Sequence, residues 1–174
     1  MSAILSLVHY PDDPLTLKAE PVTVFDGTLQ KLSDNMFATM YAHDGIGLAA
    51  PQVGIAKRVF VLCEPDGEEL CLVNPEVLSS SGSGVREEGC LSLPQIYADV
   101  TRPTVIQVRA KDVKGKTLEF EARDLFARII QHELDHLNGV IFLDRVDIMT
   151  REAKLQEWAD VRKKLRNKPL ASSQ

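Results

Sequence analysis

The sequence predicts an α+β fold in which mostly antiparallel sheets wrap around a central helix, with a further helix at the C-terminus. Three observations lead to this prediction. Apolar residues recur with a helical period early in the chain, β-rich segments and turn residues fill the middle, and the helical period returns from residue 124. Helices and strands are therefore segregated along the chain, as is typical of α+β domains.

The first helix is predicted to end before Gly45. Its apolar residues recur at spacings of three and four and are Leu29, Leu32, Met36 and Met40. This spacing places their side chains on one face of a helix, so the methionines are predicted to be core residues.

The middle of the chain is predicted to be sheet. Two pairs of β-rich segments are each separated by turn residues: "RVFVLCE" and "ELCLVNPE" around "PDGE", then "PTVIQVRAKD" and "KTLEFEARD" around "VKG". Such spacing is typical of antiparallel strand pairs. The stretch "SSSGSG" (79–84) is interpreted as a flexible loop, too short to link two domains.

The central helix is predicted from Asp124 to Leu137, because Asn138 and Gly139 form a stop signal after it. Its inward face carries Leu125, Ile129, His132 and His136. The last helix is predicted over about residues 150–166, with Thr150 as its N-cap, followed by a frayed basic tail at 167–174. The residues expected to pack it against the body are Leu155, Trp158 and Leu165.

Composition predicts one soluble globular domain over residues 1–174. Hydrophobic residues make up 44% of the chain and charged residues 26%, and the longest apolar runs are too short for a membrane span. The net charge of -5 argues against general nucleic-acid binding. Three cysteines without paired spacing suit a reducing cytosol, and the N-terminus does not resemble a signal peptide. A cytoplasmic location is expected.

The stretch "QHELDHLNG" (131–139) predicts that the central helix is a metal-binding helix. His132 and His136 are four residues apart, so their rings lie on one face and can bind one ion, with Glu133 beside them. Two histidines that only make hydrogen bonds in a core are the alternative. Burying imidazoles and a carboxylate together is costly unless they coordinate or pair, which favours the metal site.

The third ligand can be sought among the known versions of this motif. The long zincin form requires a histidine where this chain has Phe142, so that form is excluded. A glutamate further along, Glu152 or Glu157, stays open as an alternative. The upstream candidate is Cys90, predicted to lie in a loop. The other cysteines, Cys63 and Cys71, are interpreted as small buried hydrophobes in strands.

A site made of Cys90, His132 and His136 leaves a fourth position for water, as catalytic sites do. The stretch "DGIGLAAPQVG" (44–54) lacks the spacing and the basic residue of a phosphate loop, which excludes nucleotide binding. Its glycines allow the backbone to approach an extended peptide, and Gln52 could direct an amide donor at an oxyanion.

The motifs "GIGLAAPQ", "EGCLSLP" and "QHELDH", in this order, resemble the three signature motifs of the peptide deformylases. The resemblance extends over nearly the whole chain and implies the α+β fold described above. It implies a hydrolase that removes the formyl group from the N-terminal methionine of newly made polypeptides and releases formate. The expected partners are formyl-Met nascent peptides, without membrane binding or recognition of nucleic-acid sequence.

The resemblance also assigns roles to residues. It implies one divalent metal per chain, with Fe(II) native and zinc, nickel or cobalt able to substitute. Water activated by this metal would attack the formyl carbon, with Glu133 as general base and then acid. The implied metal ligands are Cys90, His132 and His136. The implied oxyanion donors are the Gln52 side chain and the Leu91 backbone N–H. Backbone groups near Ile46 and Gly47 would hold the substrate.

Several further assignments keep an alternative. Ile46, Leu125 and Ile129 either form the methionine pocket or are plain core. Arg102 either pairs with Glu88 or is solvated, and Asp135 either orients a ligand or caps the helix surface. Tyr97 departs from the family members that carry at this position an arginine able to contact the peptide beyond its first residue. His9 and His43 are expected to be surface residues.

The basic run "RKKLRNK" (162–168) is either a solvated helix face or a surface for transient contact with the ribosome. Three rival functions remain open. The chain could be another metal-dependent amidase or peptidase, a noncatalytic protein that binds blocked N-termini, or a structural metal module with a closed fourth position.

Overall fold

The computed structural model describes residues 1–168, in which helices flank a largely antiparallel β-structure. The helices are α1 (Gly27–Ala42), α2 (Asp124–Leu137) and α3 (Ile148–Arg166), and two short 3₁₀ helices cover Ala50–Val53 and Phe142–Arg145. The strands are β1 (Gly47–Ala49), β2 (Val59–Leu62), β3 (Leu70–Ser81), β4 (Gly84–Cys90), β5 (Leu93–Arg102), β6 (Val105–Lys111) and β7 (Thr117–Arg123).

The strands form two antiparallel sheets. The larger has the order β1-β2-β3-β6-β7, and the smaller is the β4-β5 hairpin, called the hairpin from here on. Helix α2 packs against the larger sheet, and α3 packs against β5. The predicted α+β fold, with antiparallel sheets around a central helix and a helix at the C-terminal end, is confirmed.

Helix α1 begins after Asp26, whose carboxylate accepts hydrogen bonds from the backbone N–H groups of Thr28 and Leu29 and thereby caps the helix. Three residues of the predicted apolar stripe are fully buried against β1 and β2, and the fourth, Leu32, is partly buried beside them. The period of three and four thus identified the correct face. This helix supports the strand β1 that lies beside the functional site.

Helix α2 has the bounds that the sequence predicts. Its apolar residues Ala127, Ile130 and Leu137 are buried against the larger sheet. The chain leaves the helix through Gly139 at φ +73°, where a Cβ atom would lie 2.8 Å from the backbone of Thr16. Glycine is required here because of both the left-handed conformation and the close approach of the N-terminal segment.

The hairpin belongs to a different hydrophobic cluster from α2. Its buried residues, which include Leu93, Ile96 and Val100, pack with Phe142 and with Trp158 of α3. The apolar face of α2 instead packs on β2 and β6, on the larger sheet. Apolar packing therefore builds the hairpin and α2 into separate parts of the core.

The stretch "SSSGSG" is not a loop, contrary to the prediction. Ser79, Ser80 and Ser81 extend β3 and pair with Gln107, Ile106 and Val105 of β6, and Gly84 begins β4. Serine is tolerated here because its side chains are exposed on the sheet surface. The turn is reduced to Gly82, at φ +73°, and Ser83.

The last helix begins at Ile148, two residues before the predicted start. Asp147 is the N-cap, and its carboxylate accepts from the N–H and hydroxyl groups of Thr150. Asp is as good a cap as Thr, and here it lies at the extended residue that precedes the helix. The predicted tail at 167–174 falls largely outside the described residues, which end at Lys168. In the part of the chain described, none of the helices combines the length and apolar character needed to cross a bilayer.

His9 is not a surface residue, contrary to expectation. Its ring is half-buried and packs edge-on against Trp158, with centroids 5.7 Å apart, and Trp158 Nε1 donates to the Tyr10 carbonyl. This contact attaches the N-terminal segment to α3. His43 is exposed, as expected.

Candidate metal centre and active-site cleft

Three side chains that can bind a metal meet where the hairpin approaches α2. Cys90 is the last residue of β4, not part of a loop as predicted, while His132 and His136 are one turn apart on α2. One ligand atom from each lies within 4.8 Å of the other two, and Cys90 Sγ is 3.3 Å from His136 Nε2. The structure therefore brings together the cysteine and both histidines that the sequence singled out.

The donor set suits a divalent cation. A thiolate and two imidazoles are ligands for zinc, iron and related metals. His132 Nδ1 lies 2.9 Å from Glu88 Oε1, which leaves Nε2 of that ring for an ion. Burial lowers the pKa of His136, which favours the neutral ring that binds metals. The alternative ligands Glu152 and Glu157 are exposed residues of α3 and are absent from this cluster.

Glu133 lies in the same cleft with its carboxylate incompletely satisfied. The residue is only 4% exposed, and its Oε2 has no hydrogen-bond partner among the described residues. Burial raises the pKa of the Glu133 carboxyl to about 7. A buried carboxylate with a free oxygen beside a metal-binding cluster is typical of a catalytic acid or base.

Gln52 has its amide orientation fixed by the backbone. Its Oε1 accepts a hydrogen bond of 2.9 Å from Ala49 N, so its Nε2 points toward Cys90 Sγ at 3.5 Å and Ser92 Oγ at 3.3 Å. Leu91 and Ser92 form the turn between β4 and β5, and Ser92 N donates to Cys90 Sγ. Both predicted oxyanion donors therefore belong to segments next to the sulfur.

A cleft of about 1060 Å³ contains the site. Its walls include the predicted substrate residues Ile46, Gly47, Leu125 and Ile129, together with Tyr97. Ile46 O accepts from the N–H of Cys63, the residue directly after β2. Because backbone groups alternate in direction along a strand, the N–H and C=O of Gly47 point away from β2, toward the cleft.

The predicted pairing of Glu88 with Arg102 is present and buried. Arg102 Nε donates to Glu88 Oε2 at 2.7 Å and Arg102 Nη2 donates to Oε1 at 3.0 Å. Burial alone would raise the pKa of Glu88, but the hydrogen bonds from His132 and Arg102 outweigh it and lower the pKa to about 2. Glu88 is thus a carboxylate that holds the His132 ring.

Asp135 does not cap the helix surface. It is 5% exposed and accepts from Arg102 Nη1 at 2.9 Å and Arg145 Nη2 at 2.6 Å. It therefore holds Arg102, which in turn holds Glu88, the partner of His132. Sequence reasoning missed Arg128, which also donates to Glu88. The available signal was its position, four residues before His132 on the same helix.

Comparisons with known proteins agree with this site. A family model described as polypeptide deformylase matches residues 4–152. The peptide deformylase of Chromobacterium violaceum is 49% identical over 152 residues, which cover 86% of this chain and 91% of that protein.

Solved structures give the same result. The crystal structure of a peptide deformylase from Legionella pneumophila matches with a TM-score of 0.90 and 39% identity, covering 96% of this chain and 100% of that one. The crystal structure of the Ehrlichia chaffeensis peptide deformylase in complex with actinonin matches with a TM-score of 0.88 and 37% identity, covering 95% of this chain and 99% of that one. The resemblance drawn from the three sequence motifs is confirmed. The chain therefore belongs to the polypeptide deformylase family, whose members are metal-dependent enzymes that remove the N-formyl group from newly made polypeptides.

Proposed function

We propose that this chain hydrolyses the formamide at the N-terminal methionine of newly made polypeptides and releases formate, with Glu133 as general base and then general acid. One observation carries the proposal. The free carboxylate oxygen of Glu133 lies in a cleft whose walls include Gly47 and two members of the metal-binding cluster, Cys90 and His132. Side chains that could hold a metal, a proton acceptor and a place for an extended peptide are thereby combined.

Cys90, His132 and His136 would hold one divalent cation, with Fe(II) as the proposed native metal and zinc, nickel or cobalt able to replace it. When bound, the cation supplies Lewis acidity, which lowers the pKa of water and polarises a carbonyl oxygen. Among the described residues the cluster has three metal-binding side chains, the number typical of catalytic sites, whereas closed structural sites have four.

Glu133 would move the proton in both halves of the reaction. Its unpartnered oxygen accepts the proton of the water that attacks the formyl carbon, and then delivers that proton to the departing amine. A metal site that only stabilised the fold would have no use for this buried carboxylate.

Gln52 and Leu91 would stabilise the charge that develops on the formyl oxygen. The hydrogen bond from Ala49 fixes the Gln52 carbonyl, so that the amide N–H₂ faces the sulfur side of the cleft. Leu91 is the next residue after Cys90, so its backbone N–H lies beside the sulfur. Fixed donors of this kind contribute about 3 kcal/mol each to transition-state stabilisation.

The substrate backbone would align with the free edge of β1 at Ile46 and Gly47, in the manner of an added strand. Leu125 and Ile129 on α2 would contact the methionine side chain. Tyr97, which is 53% exposed at the cleft wall, replaces the arginine of some relatives and would present an aromatic ring to the next substrate residues.

Glu88, Arg102 and Asp135 would support the centre by holding His132 in the orientation that binds metal. We further propose that residues 1–174 form a single catalytic domain and that it works in the cytoplasm, where nascent peptides are made. The exposed basic residues Lys163, Lys164 and Arg166 at the end of α3 are the proposed surface for transient ribosome contact.

The experiment that tests this function compares N-formyl-Met, N-acetyl-Met and unblocked Met peptides of one sequence on the Fe(II)-loaded protein prepared without oxygen. Formate release from the formyl peptide should exceed cleavage of the others by at least about a hundredfold, because the small formyl group lets Glu133 and the oxyanion donors reach the carbonyl together. Faster cleavage of acetylated or unblocked peptides would indicate another amidase or peptidase. Tight peptide binding without formate would indicate a noncatalytic binding protein.

Replacing Gly47 by alanine should lower kcat while leaving the metal content unchanged. The added Cβ would lie 2.7 Å from Glu133 Oε1 and 3.0 Å from Ile129 Cγ2, so the carboxylate must move. We expect a loss of about tenfold or more in kcat, measured by formate release, because small displacements of catalytic groups are costly. Gly27→Ala is the control, since a Cβ there has no atom within 4 Å. Full activity of Gly47→Ala would contradict the placement of Glu133 in the reaction.

A further inference from the structure

Arg128 is a buried cation on the metal-binding helix. Its position four residues before His132 places it on the same face of α2, and it is only 8% exposed. A buried guanidinium is retained only where it is paired and hydrogen-bonded. What Arg128 contacts therefore indicates what it is for.

The guanidinium of Arg128 connects α2 with both strands of the hairpin. Its Nη1 donates to Glu88 Oε2 and, at 2.9 Å, to the Val100 carbonyl, while Nη2 donates to the Gly84 carbonyl at 2.9 Å. Gly84 and Glu88 belong to β4, and Val100 belongs to β5. One planar fork thus fixes three points of the hairpin relative to the helix.

The position of this connection matters because the three ligands come from these two elements. Cys90 ends β4, whereas His132 and His136 are on α2. The hairpin and the helix pack into different hydrophobic clusters, so apolar packing alone does not fix the distance from the sulfur to the imidazoles. The His132 ring stacks on Phe142 of the hairpin's cluster, and the hydrogen bonds that join the two elements centre on Glu88.

The two carboxylate oxygens of Glu88 contact Arg128 and His132 separately. Arg128 donates to Oε2, and Oε1 faces His132 Nδ1, while Arg102 contacts both oxygens. Arg102 is shared between Glu88 and Asp135, whereas Arg128 joins Glu88 to the backbone of both hairpin strands, so its contribution is geometric as well as electrostatic. It prevents the carboxylate from rotating away from the His132 ring and holds the strand that ends in Cys90.

We propose that Arg128 is a positioning residue for the metal centre, which sets the separation between Cys90 and the two histidines by fastening the hairpin to α2. This inference rests on the proposed metal site, which it deepens. It does not require that the metal-loaded protein turn over a formyl peptide.

The test uses Co²⁺ binding to the wild-type chain and to R128M, R128K and R58M. Arg58 is the matched control, because its guanidinium also donates to a backbone carbonyl of α2, that of Leu137, at 2.8 Å, without touching the hairpin. Competition with a chelator gives the dissociation constant, and the thiolate-to-cobalt absorption band reports the bond to Cys90. Thermal unfolding of the metal-free proteins monitors the fold.

R128M should weaken Co²⁺ binding by about 10- to 100-fold, the range for loss of groups that support metal ligands, and should shift or weaken the thiolate band. R128K keeps the charge but has one nitrogen, so it should restore only part of the affinity. The Co²⁺ dissociation constant of R58M should stay within about twofold of the wild-type value, because Arg58 does not hold a group that supports the metal ligands.

Wild-type affinity and an unchanged thiolate band in R128M would overturn the proposal, as would an equal loss in R58M. If R128M fails to fold, R128K decides: an affinity equal to that of the wild type contradicts the geometric role. A wild-type chain that binds Co²⁺ but releases no formate would contradict the proposed reaction while leaving this inference intact.

Discussion

Replacing Glu133 by glutamine should remove most of the formate-releasing activity and leave the metal bound. The amide keeps the size of the side chain but cannot accept the proton of the attacking water. General acid–base groups contribute about 10²- to 10⁴-fold to rate, so kcat should fall by that factor. Formate release and metal content measured on the same preparation check both halves of the prediction.

Glu87→Gln is the matched control for this variant. Glu87 is an exposed carboxylate that lines the same cleft, one strand position away from Glu88. It should keep kcat within about twofold of the wild type, as do most surface substitutions. An E133Q enzyme as active as the wild type would show that another group carries the proton, and a loss of metal from E133Q would mean that Glu133 is a ligand.

Replacing Cys90 by serine should weaken metal binding more than any other single cysteine change. The hydroxyl is a poor substitute for a thiolate, and the remaining imidazoles hold the ion alone. Because loss of a supporting group costs about 10- to 100-fold in affinity, loss of a ligand should cost more than about a hundredfold. Chelator competition on the purified variant measures the effect, and activity should fall with it.

Cys63→Ser provides the comparison. Cys63 is also partly buried, but its Sγ lies 3.5 Å from the carbonyls of Glu64 and Gly67, outside the metal cluster. Metal affinity should be unchanged in this variant. Equal losses in C63S and C90S would indicate that cysteine replacement disturbs the fold generally and would remove the support for Cys90 as the third ligand.

The sequence predicted the bounds of α2 and the clustering of His132 and His136 with Cys90 accurately, for physical reasons. The period of 3.6 residues shows which residues share one face of a helix, and the stop signal of Asn138 and Gly139 marks where this helix ends. The pair His132 and His136 follows directly from this geometry. Cys90 could be selected because it alone among the cysteines lies outside an apolar segment.

Other features depended on contacts between distant parts of the chain. The serines at 79–81 read as a loop by composition, yet pairing with β6 makes them strand. The alternatives for Asp135 stayed open because one of its partners, Arg102, lies on β5, far from it in the sequence. The cap of α3 was placed at Thr150 instead of Asp147 for a local reason, since both residue types are good caps. Local propensity does not contain these long-range choices.

In the cleft, too, some features could be predicted from the sequence and others could not. Gly47 was singled out because glycine permits close approach of backbone, and the structure supplies the reason in the form of the Glu133 carboxylate beside it. The junction of the hairpin with α2 had no periodic signal. Its members come from β4, β5 and α2, so only the folded chain shows that they meet.

The most direct test of the metal centre is a crystal structure of the Co²⁺-loaded protein with anomalous data collected at the cobalt edge. One cobalt per chain is expected, bonded to Cys90 Sγ and to one ring nitrogen each of His132 and His136, with a solvent ligand facing Glu133. A cobalt bound elsewhere, or a sulfur outside bonding distance of the cobalt held by the imidazoles, would contradict the account.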